Sequence, residues 1–180
     1  MSQPLTHLVN WSHQLLCEVL SPGDYAVDLT SGNGYDTLML ARRVGPSGRV
    51  LAIDLQAQAI ETSTERLKQQ GIVTTLLDKP VSTLQCGVSL VLSDHAKLAM
   101  WSTLRPRAII ANLGYCPGGQ KDLVTKPEST LEALKVSCDL LAPGGRIVVV
   151  VYPGHPGGQS EADTVDQFFA GLDGRQFEVL

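Results

Sequence analysis

Twelve residues near the amino terminus, Tyr25-Ala-Val-Asp-Leu-Thr-Ser-Gly-Asn-Gly-Tyr-Asp36, restrict the fold more than any other part of the chain. A short apolar run ends on an acidic residue. A loop holding Gly32 and Gly34 follows, and the next segment spaces its apolar residues for a helix. The order is strand, tight turn, helix. Glycines at such a turn let backbone N–H groups approach a ligand closely, and the helix behind them presents the positive end of its dipole to the same place. A small-molecule site is implied, although turns also take glycines for backbone reasons alone.

The rest of the chain repeats this alternation. Leu8 to Leu20 carries Leu8, Val9, Trp11, Leu15, Leu16, Val19 and Leu20, a helical stripe suited to lie against a sheet. A first strand, Tyr25 to Leu29, leads through a helix from about Gly34 to Val44 into a second strand, Arg49 to Asp54, which makes a βαβ unit. A helix over Gln56 to Gln70 comes next. Val73 to Leu77 and Val88 to Leu92 both read as strands; the latter ends in the polar cluster Ser93-Asp-His95 and fits the third strand of the sheet. Lys97 to Leu104 predicts a short helix, Arg107 to Ala111 a fourth strand and Pro127 to Leu141 a helix. Arg146 to Tyr152 is apolar without alternation, as a fifth strand covered on both faces should be. A helix over about Glu161 to Leu172 follows, and Phe177 to Leu180 begins another strand.

Polar clusters sit at the carboxyl ends of these strands, where open parallel sheets bind ligands. The expectation is one domain over residues 1–180 of the α/β class: a Rossmann-like, doubly wound, mostly parallel sheet with helices on both faces.

Composition removes several alternatives. A hydrophobic share of 43% and a charged share of 18% suit a soluble globular chain. The longest purely apolar run, Ile147 to Val151, is far too short to span a bilayer, and Met1-Ser-Gln-Pro-Leu-Thr-His lacks the basic start of a signal peptide. A cytoplasmic address and no membrane partner are expected. Cys17, Cys86, Cys116 and Cys138 stand far apart, which argues against a metal site or a disulfide framework. A net charge of −4 argues against a general nucleic-acid coat protein. Yet Lys97, Arg105, Arg107, Lys121 and Lys126 face only Asp122 between residues 97 and 127. That window is either a docking face for a phosphate-bearing substrate or a solvated surface.

Two further features carry chemistry. Asp54 follows Asp28 by 26 residues, at the carboxyl end of the second strand. A right-handed crossover puts it beside the glycine loop, where a carboxylate can accept hydrogen bonds from both hydroxyls of a ribose; it can also cap the helix that begins near Gln56, and the two roles can coexist. Asn112-Leu-Gly-Tyr115 ends the fourth strand. The Asn side-chain oxygen can accept an N–H from a planar or amine-bearing group, and the tyrosine offers a stacking face; turn preference alone is the other reading. The Gly-x-Gly-x-x-Gly fingerprint of dinucleotide enzymes is not met, since Thr37 stands where the last glycine would.

Asp28-Leu-Thr-Ser-Gly-Asn-Gly34, Asp54 and Leu140-Leu-Ala-Pro-Gly-Gly145 resemble class I S-adenosylmethionine-dependent methyltransferases. Asn112-Leu-Gly-Tyr-Cys-Pro-Gly-Gly-Gln-Lys121, Thr125-Lys-Pro-Glu-Ser-Thr130 and Tyr152-Pro-Gly-His-Pro-Gly-Gly158 more closely resemble the small family labelled putative rRNA methylases. Its characterised members are tRNA methyltransferases that convert 5-aminomethyl-2-thiouridine at the wobble position to the 5-methylaminomethyl form. The resemblance covers residues 5 to 180. It implies S-adenosyl-L-methionine as cofactor, with Asp28, Ser31, Gly32, Asn33 and Gly34 around its methionine part, Asp54 on the ribose, and Gln56, Asp94 and His95 bordering the adenine.

Asn112 to Tyr115 stands where amine-methylating enzymes of this fold carry Asn-Pro-Pro-Tyr. This implies that Asn112 orients the amine, with Gly114 beside the cofactor and Tyr115, Tyr152 and His155 beside the substrate. His155 or Asp94 could take the amine's proton, and solvent is the plainer route. Lys121, Lys126 and Arg105 are the expected phosphate contacts of a tRNA partner. Two other readings stay open: the same cofactor with ribosomal RNA or a small amine as acceptor, and a non-catalytic module that binds the cofactor or RNA. The family normally continues for about twenty residues and an antiparallel last strand, so the C-terminal strand here reads as incomplete. Either the sheet closes differently, a partner such as a second copy in a homodimer covers the apolar edge, or the chain is a truncated form.

Overall fold

The apolar runs pair into one parallel sheet. The computed structural model describes residues 4–114, 125–154 and 157–180, with side chains from Leu8 onward. In chain order the elements are α1 (Pro4–Val19), β1 (Tyr25–Asp28), α2 (Tyr35–Val44), β2 (Arg49–Asp54), α3 (Ala57–Gln69), β3 (Thr74–Leu77), β4 (Gly87–Leu92), α4 (Leu98–Trp101), β5 (Ala108–Leu113), α5 (Pro127–Leu140), β6 (Arg146–Val151) and α6 (Gly158–Ala170). A 3₁₀ turn, His95–Lys97, precedes α4. The strands lie in the order β3-β4-β2-β1-β5-β6, every neighbouring pair parallel. The chain winds outward from β1 in both directions, so the crevice of such a sheet falls at the carboxyl ends of β1 and its neighbours.

Alternation along the strands divides the core in two. Ala26, Val50, Ala52, Leu90, Ala108 and Ile110 face Leu16 of α1 and Leu20 just past its end, Leu40, Ala41 and Val44 of α2, and Ile60 and Leu67 of α3. On the other side Val27, Leu51, Ile53, Val91, Ile109 and Ala111 meet Leu98 and Trp101 of α4, Ala133 and Leu134 of α5, and Val165 of α6. Helices therefore cover both faces, as expected for a doubly wound sheet.

Three details differ from the sequence reading. Thr74–Leu77 is itself a strand of the sheet, so Val88 to Leu92 is the fourth strand in chain order; its four residues are too few and too exposed to show a pattern, which suits an edge. Gly87, at φ +104, allows that edge to pair, because a Cβ there would stand 2.6 Å from the Val73 carbonyl oxygen. Leu8 and Trp11 turn to solvent, and the buried face of α1 is instead Ser12 and Leu16, continued by Leu20 just past its end. Phe177 to Leu180 forms no strand; Gln176 and Phe177 donate back to the Asp173 carbonyl in a turn. β6 pairs with β5 alone, and no strand lies on its outer edge among the described residues. No helix of the described residues is long and apolar enough to cross a membrane.

Candidate functional site

An open cavity of about 1150 Å³ lies over the carboxyl ends of the central strands. That exceeds the 300–1,000 Å³ typical of small-molecule sites, roughly room for two ligands side by side. Its walls are the glycine loop, the turn after β2, Ser93 to His95, Asn112 with Gly114, Tyr152, and one face of α1 made by Val9, His13 and Cys17.

The glycine loop is held from below. Asp28 is fully buried, accepts Thr37 Oγ1–H at 2.6 Å and Thr30 N–H at 3.0 Å, and does not reach the cavity wall. Burial, with the charge of Asp36 added, pushes its carboxyl up to about 7. The role expected for Asp28 as a direct cofactor contact is therefore corrected to support of the loop: a side chain pointing into the core cannot touch the cavity. Gly34 also lies beneath the wall. Its φ is +78, and a Cβ would come within 2.9 Å of the Ser63 backbone, so only glycine lets α2 begin this close to α3. Ser31, Gly32 and Asn33 do line the cavity.

Asp54 joins two walls. Its Oδ2 accepts Gly32 N–H at 2.7 Å and its Oδ1 accepts Gln56 N–H at 2.9 Å, with Leu55 N–H a further donor, so the carboxylate ties the glycine loop to the residue before α3 and keeps acceptor capacity for a hydroxyl; no side chain caps α3 itself. Burial raises its pKa, opposed by those backbone donors. Beyond Leu55 and Gln56, Asp94 caps the 3₁₀ turn by accepting Ala96 N–H at 2.9 Å. His95 is buried, which lowers its pKa, and its Nε2 has no hydrogen-bond partner among the described residues.

Across the cavity, Asn112 Nδ2 donates to Asp36 Oδ2 at 2.6 Å, and the other oxygen, Asp36 Oδ1, meets His13 Nε2 at 2.5 Å. A carboxylate only accepts, so the amide nitrogen must face Asp36 and the orientation of Asn112 is fixed. Its Oδ1 is buried and unpartnered among the described residues. Tyr152 stands nearby, its phenol pKa raised by burial and by the charge of Asp36. Behind this wall Gly114 N–H donates to Thr125 Oγ1 at 2.9 Å, and that hydroxyl donates to buried Glu161 at 2.6 Å.

Of the residues expected at a site, Ser31, Gly32, Asn33, Asp54, Gln56, Asp94, His95, Asn112, Gly114, Lys126 and Tyr152 share the cavity. Tyr115, Lys121 and His155 lie outside the described residues. Arg105 does not belong: it stands in the connection entering β5 from its amino end, the opposite edge of a parallel sheet from the cavity. Arg107 is likewise engaged there, with the carbonyls of Val19 and Pro143. The basic window at 97–127 thus does not form one face. Sequence reasoning missed His13, Asp36, Arg42, Arg43 and Thr125, all on the cavity wall. A spacing of four, Val9, His13, Cys17, was the available signal for the first.

Residues 50–180 match the family described as Putative rRNA methylase. The chain belongs to this family. Its residues 1–96 also match the protein-L-isoaspartate(D-aspartate) O-methyltransferase family, over the portion holding the glycine loop and Asp54. An Arabidopsis thaliana protein named tRNA (mnm(5)s(2)U34)-methyltransferase, chloroplastic, is 38% identical over 170 residues, which are 89% of this chain and 58% of that protein. A Triticum aestivum protein-L-isoaspartate O-methyltransferase is 27% identical, over 77% of this chain and 50% of its own length. The chain thus spans only about half the length of these curated relatives.

Among solved structures, a putative rRNA-methylase from Clostridium thermocellum superimposes with TM-score 0.86 at 34% identity, covering 96% of this chain and 86% of that one. A putative methyltransferase from Streptococcus mutans, solved in complex with SAH, gives TM-score 0.80 at 32% identity over 100% of this chain and 88% of its own. The architecture of this family member is the class I methyltransferase fold.

Proposed function

We propose that the protein is an S-adenosyl-L-methionine-dependent N-methyltransferase acting on the aminomethyl group of 5-aminomethyl-(2-thio)uridine at the wobble position of tRNA. The cavity's residues fit the cofactor. His95 Nε2 is an unpartnered polar atom at the adenine end, and Asp54 keeps free lone pairs beside the glycine loop. Ser31, Gly32 and Asn33 would hold the methionine part, Asp54 the ribose, and Gln56, Asp94 and His95 the adenine. When bound, the cofactor supplies a methyl group made electrophilic by its sulfonium.

The observation that carries the acceptor reading is the fixed amide of Asn112. Its unpartnered Oδ1 suits an N–H donor, and a hydrogen bond to that oxygen turns the lone pair of an amine away from Asn112. Positioning of this kind supplies most of what a reactive nucleophile and a reactive methyl group need. Lys126, Arg42 and Arg43, which all line the cavity, suit the phosphates of a nucleic acid. The Arabidopsis relative's name supports tRNA over the family's rRNA label, and the cytoplasmic address stays part of this proposal.

The test is methyl transfer to tRNA carrying the 5-aminomethyl group, beside unmodified tRNA and ribosomal RNA. Transfer to the first alone is expected. Asn112→Ala should keep cofactor affinity within a few-fold by calorimetry and lower turnover about tenfold or more, the scale of one lost transition-state hydrogen bond. Transfer to ribosomal RNA in preference would overturn the assignment.

A further inference from the structure

A primary alkylammonium has no lone pair to offer, so its nitrogen must lose a proton before it can be methylated. We infer that His13, held in place by Asp36, takes that proton; the inference rests on the amine-methylating reading above.

One carboxylate joins the two side chains concerned. Asp36 Oδ2 holds the amide of Asn112 and Oδ1 holds the ring of His13, at 2.6 and 2.5 Å, and all three residues line the same cavity. Because the carboxylate accepts, a neutral His13 carries its hydrogen on Nε2, which leaves Nδ1 as the ring's acceptor. Nδ1 has no partner among the described residues. This is the arrangement in which an acid fixes the tautomer of a histidine base and steadies the imidazolium once it forms.

The neighbouring groups do not displace it. From α2, Arg43 is engaged with the Cys17 carbonyl and Arg42 with Gln70, so neither is committed to Asp36. Tyr152, past the end of β6, has its pKa raised and stays a phenol. Lys126 is cationic, and Cys17 lies one turn along α1. Asp94, an acceptor suggested by the sequence, follows β4, which is three strands from β5. At about 4.8 Å per strand that is roughly 14 Å from an amine at Asn112. In the step itself an ammonium N–H bond breaks, its electron pair remains on the amine nitrogen, and the proton bonds to Nδ1. The imidazolium, paired with Asp36, later releases the proton to solvent.

The experiment compares wild type, His13→Gln and Asp36→Asn on 5-aminomethyl tRNA across pH 6.5 to 9.5, with cofactor affinity measured by calorimetry. His13→Gln should lose about 100-fold in kcat/KM at pH 7, the scale of a proton-transfer residue, and recover steadily as rising pH supplies free amine. Cofactor affinity should stay within about threefold. Asp36, the positioning residue, should show the same shape with a smaller loss. A second readout needs no turnover: in cofactor-free protein at pH 8, nitrogen NMR should show His13 Nδ1 accepting a hydrogen bond on binding an anticodon stem-loop with the aminomethyl group, and not with a 5-methyl analogue. A loss that is the same at pH 7 and 9.5, or no loss, would overturn the inference while the methylation reading stands. A wild type that methylates only acceptors without an amine would remove both.

Discussion

Two carboxylates among the described residues are fully buried, Asp28 and Glu161, and each accepts from at least one threonine hydroxyl. They support opposite walls of the cavity by different means. Asp28 lies under the glycine loop, and its partners Thr30 and Thr37 come from the same stretch of chain. Local turn chemistry already shapes that wall, and burial, with the charges of Asp36 and Asp54 added, raises the pKa of the carboxyl. Glu161, in the first turn of α6, instead collects segments far apart in sequence. It accepts Thr125 and Thr130 hydroxyls at 2.6 Å each, and Thr125 in turn takes the Gly114 N–H. The cofactor wall is thus a local structure with an acid beneath it, whereas the acceptor wall depends on one carboxylate to exist.

The largest expected effect tests that dependence. Glu161→Ala should cost about 3 kcal/mol, since two hydrogen bonds to its carboxyl are lost, the buried Thr130 hydroxyl is left without that acceptor and the half-buried Thr125 hydroxyl loses its own. For a chain of this length that is a fall of about 6–12 °C in melting temperature. Cofactor affinity, measured calorimetrically below the transition, should fall far less than activity. Equal losses of both would show that the two walls are one unit and break the contrast.

The difference between the walls also explains what the sequence disclosed. The βαβ unit, the glycine loop and Asp54 were legible because each is set by neighbours a few residues away: an apolar run, a turn, a helix start. The sheet's faces followed from strand alternation. His13, Asp36 and Thr125 were not legible, because their meaning comes from partners 23, 76 and 36 residues distant. Asp36 reads locally as an acid in the first turn of a helix, and His13 as one polar residue beside an apolar stripe. Arg105 shows the converse error: charge proximity in sequence suggested one basic face, but a parallel strand separates its two ends by its full length. The stretch that becomes β3 read as a strand but was given no place in the sheet, because a four-residue edge carries no burial pattern to assign it one.

Asp28 offers the next test, through pH. Its carboxyl is raised from 3.8 to about 7 in the folded protein, so the folded state holds a proton that the unfolded chain has released. The resulting stability is fully present below pH 3.8 and is lost as pH rises towards 7, at about 1 kcal/mol per unit. Asp28→Asn keeps an acceptor for Thr37 and removes the titration. The variant should therefore melt with a flatter pH dependence between 4.5 and 7 than wild type, and gain relative stability at the upper end. Parallel curves would mean that Asp28 is ionised throughout, and the claimed asymmetry between the two acids would go with it.

The smallest effects come from removing one hydroxyl under each wall. Thr37→Val deletes the donor to Asp28 and Thr125→Val deletes the link between Gly114 and Glu161, in side chains of nearly equal size. Each should cost about 1–2 kcal/mol of stability, the usual worth of such a bond. Their functional signatures should separate. Thr37→Val disturbs the loop that approaches the cofactor, so its calorimetric dissociation constant should rise a few-fold with the acceptor KM little changed. Thr125→Val frees the end of β5 next to Asn112, so the acceptor KM should rise a few-fold and the cofactor constant should hold. If Thr125→Val weakened the cofactor as much as Thr37→Val, the strain would be passing through the Asn112 N–H to Thr30 Oγ1 bond, 2.7 Å long, which joins the end of β5 to the glycine loop. Thr30→Val would then reproduce the effect, and the two walls would be coupled through that residue rather than independent.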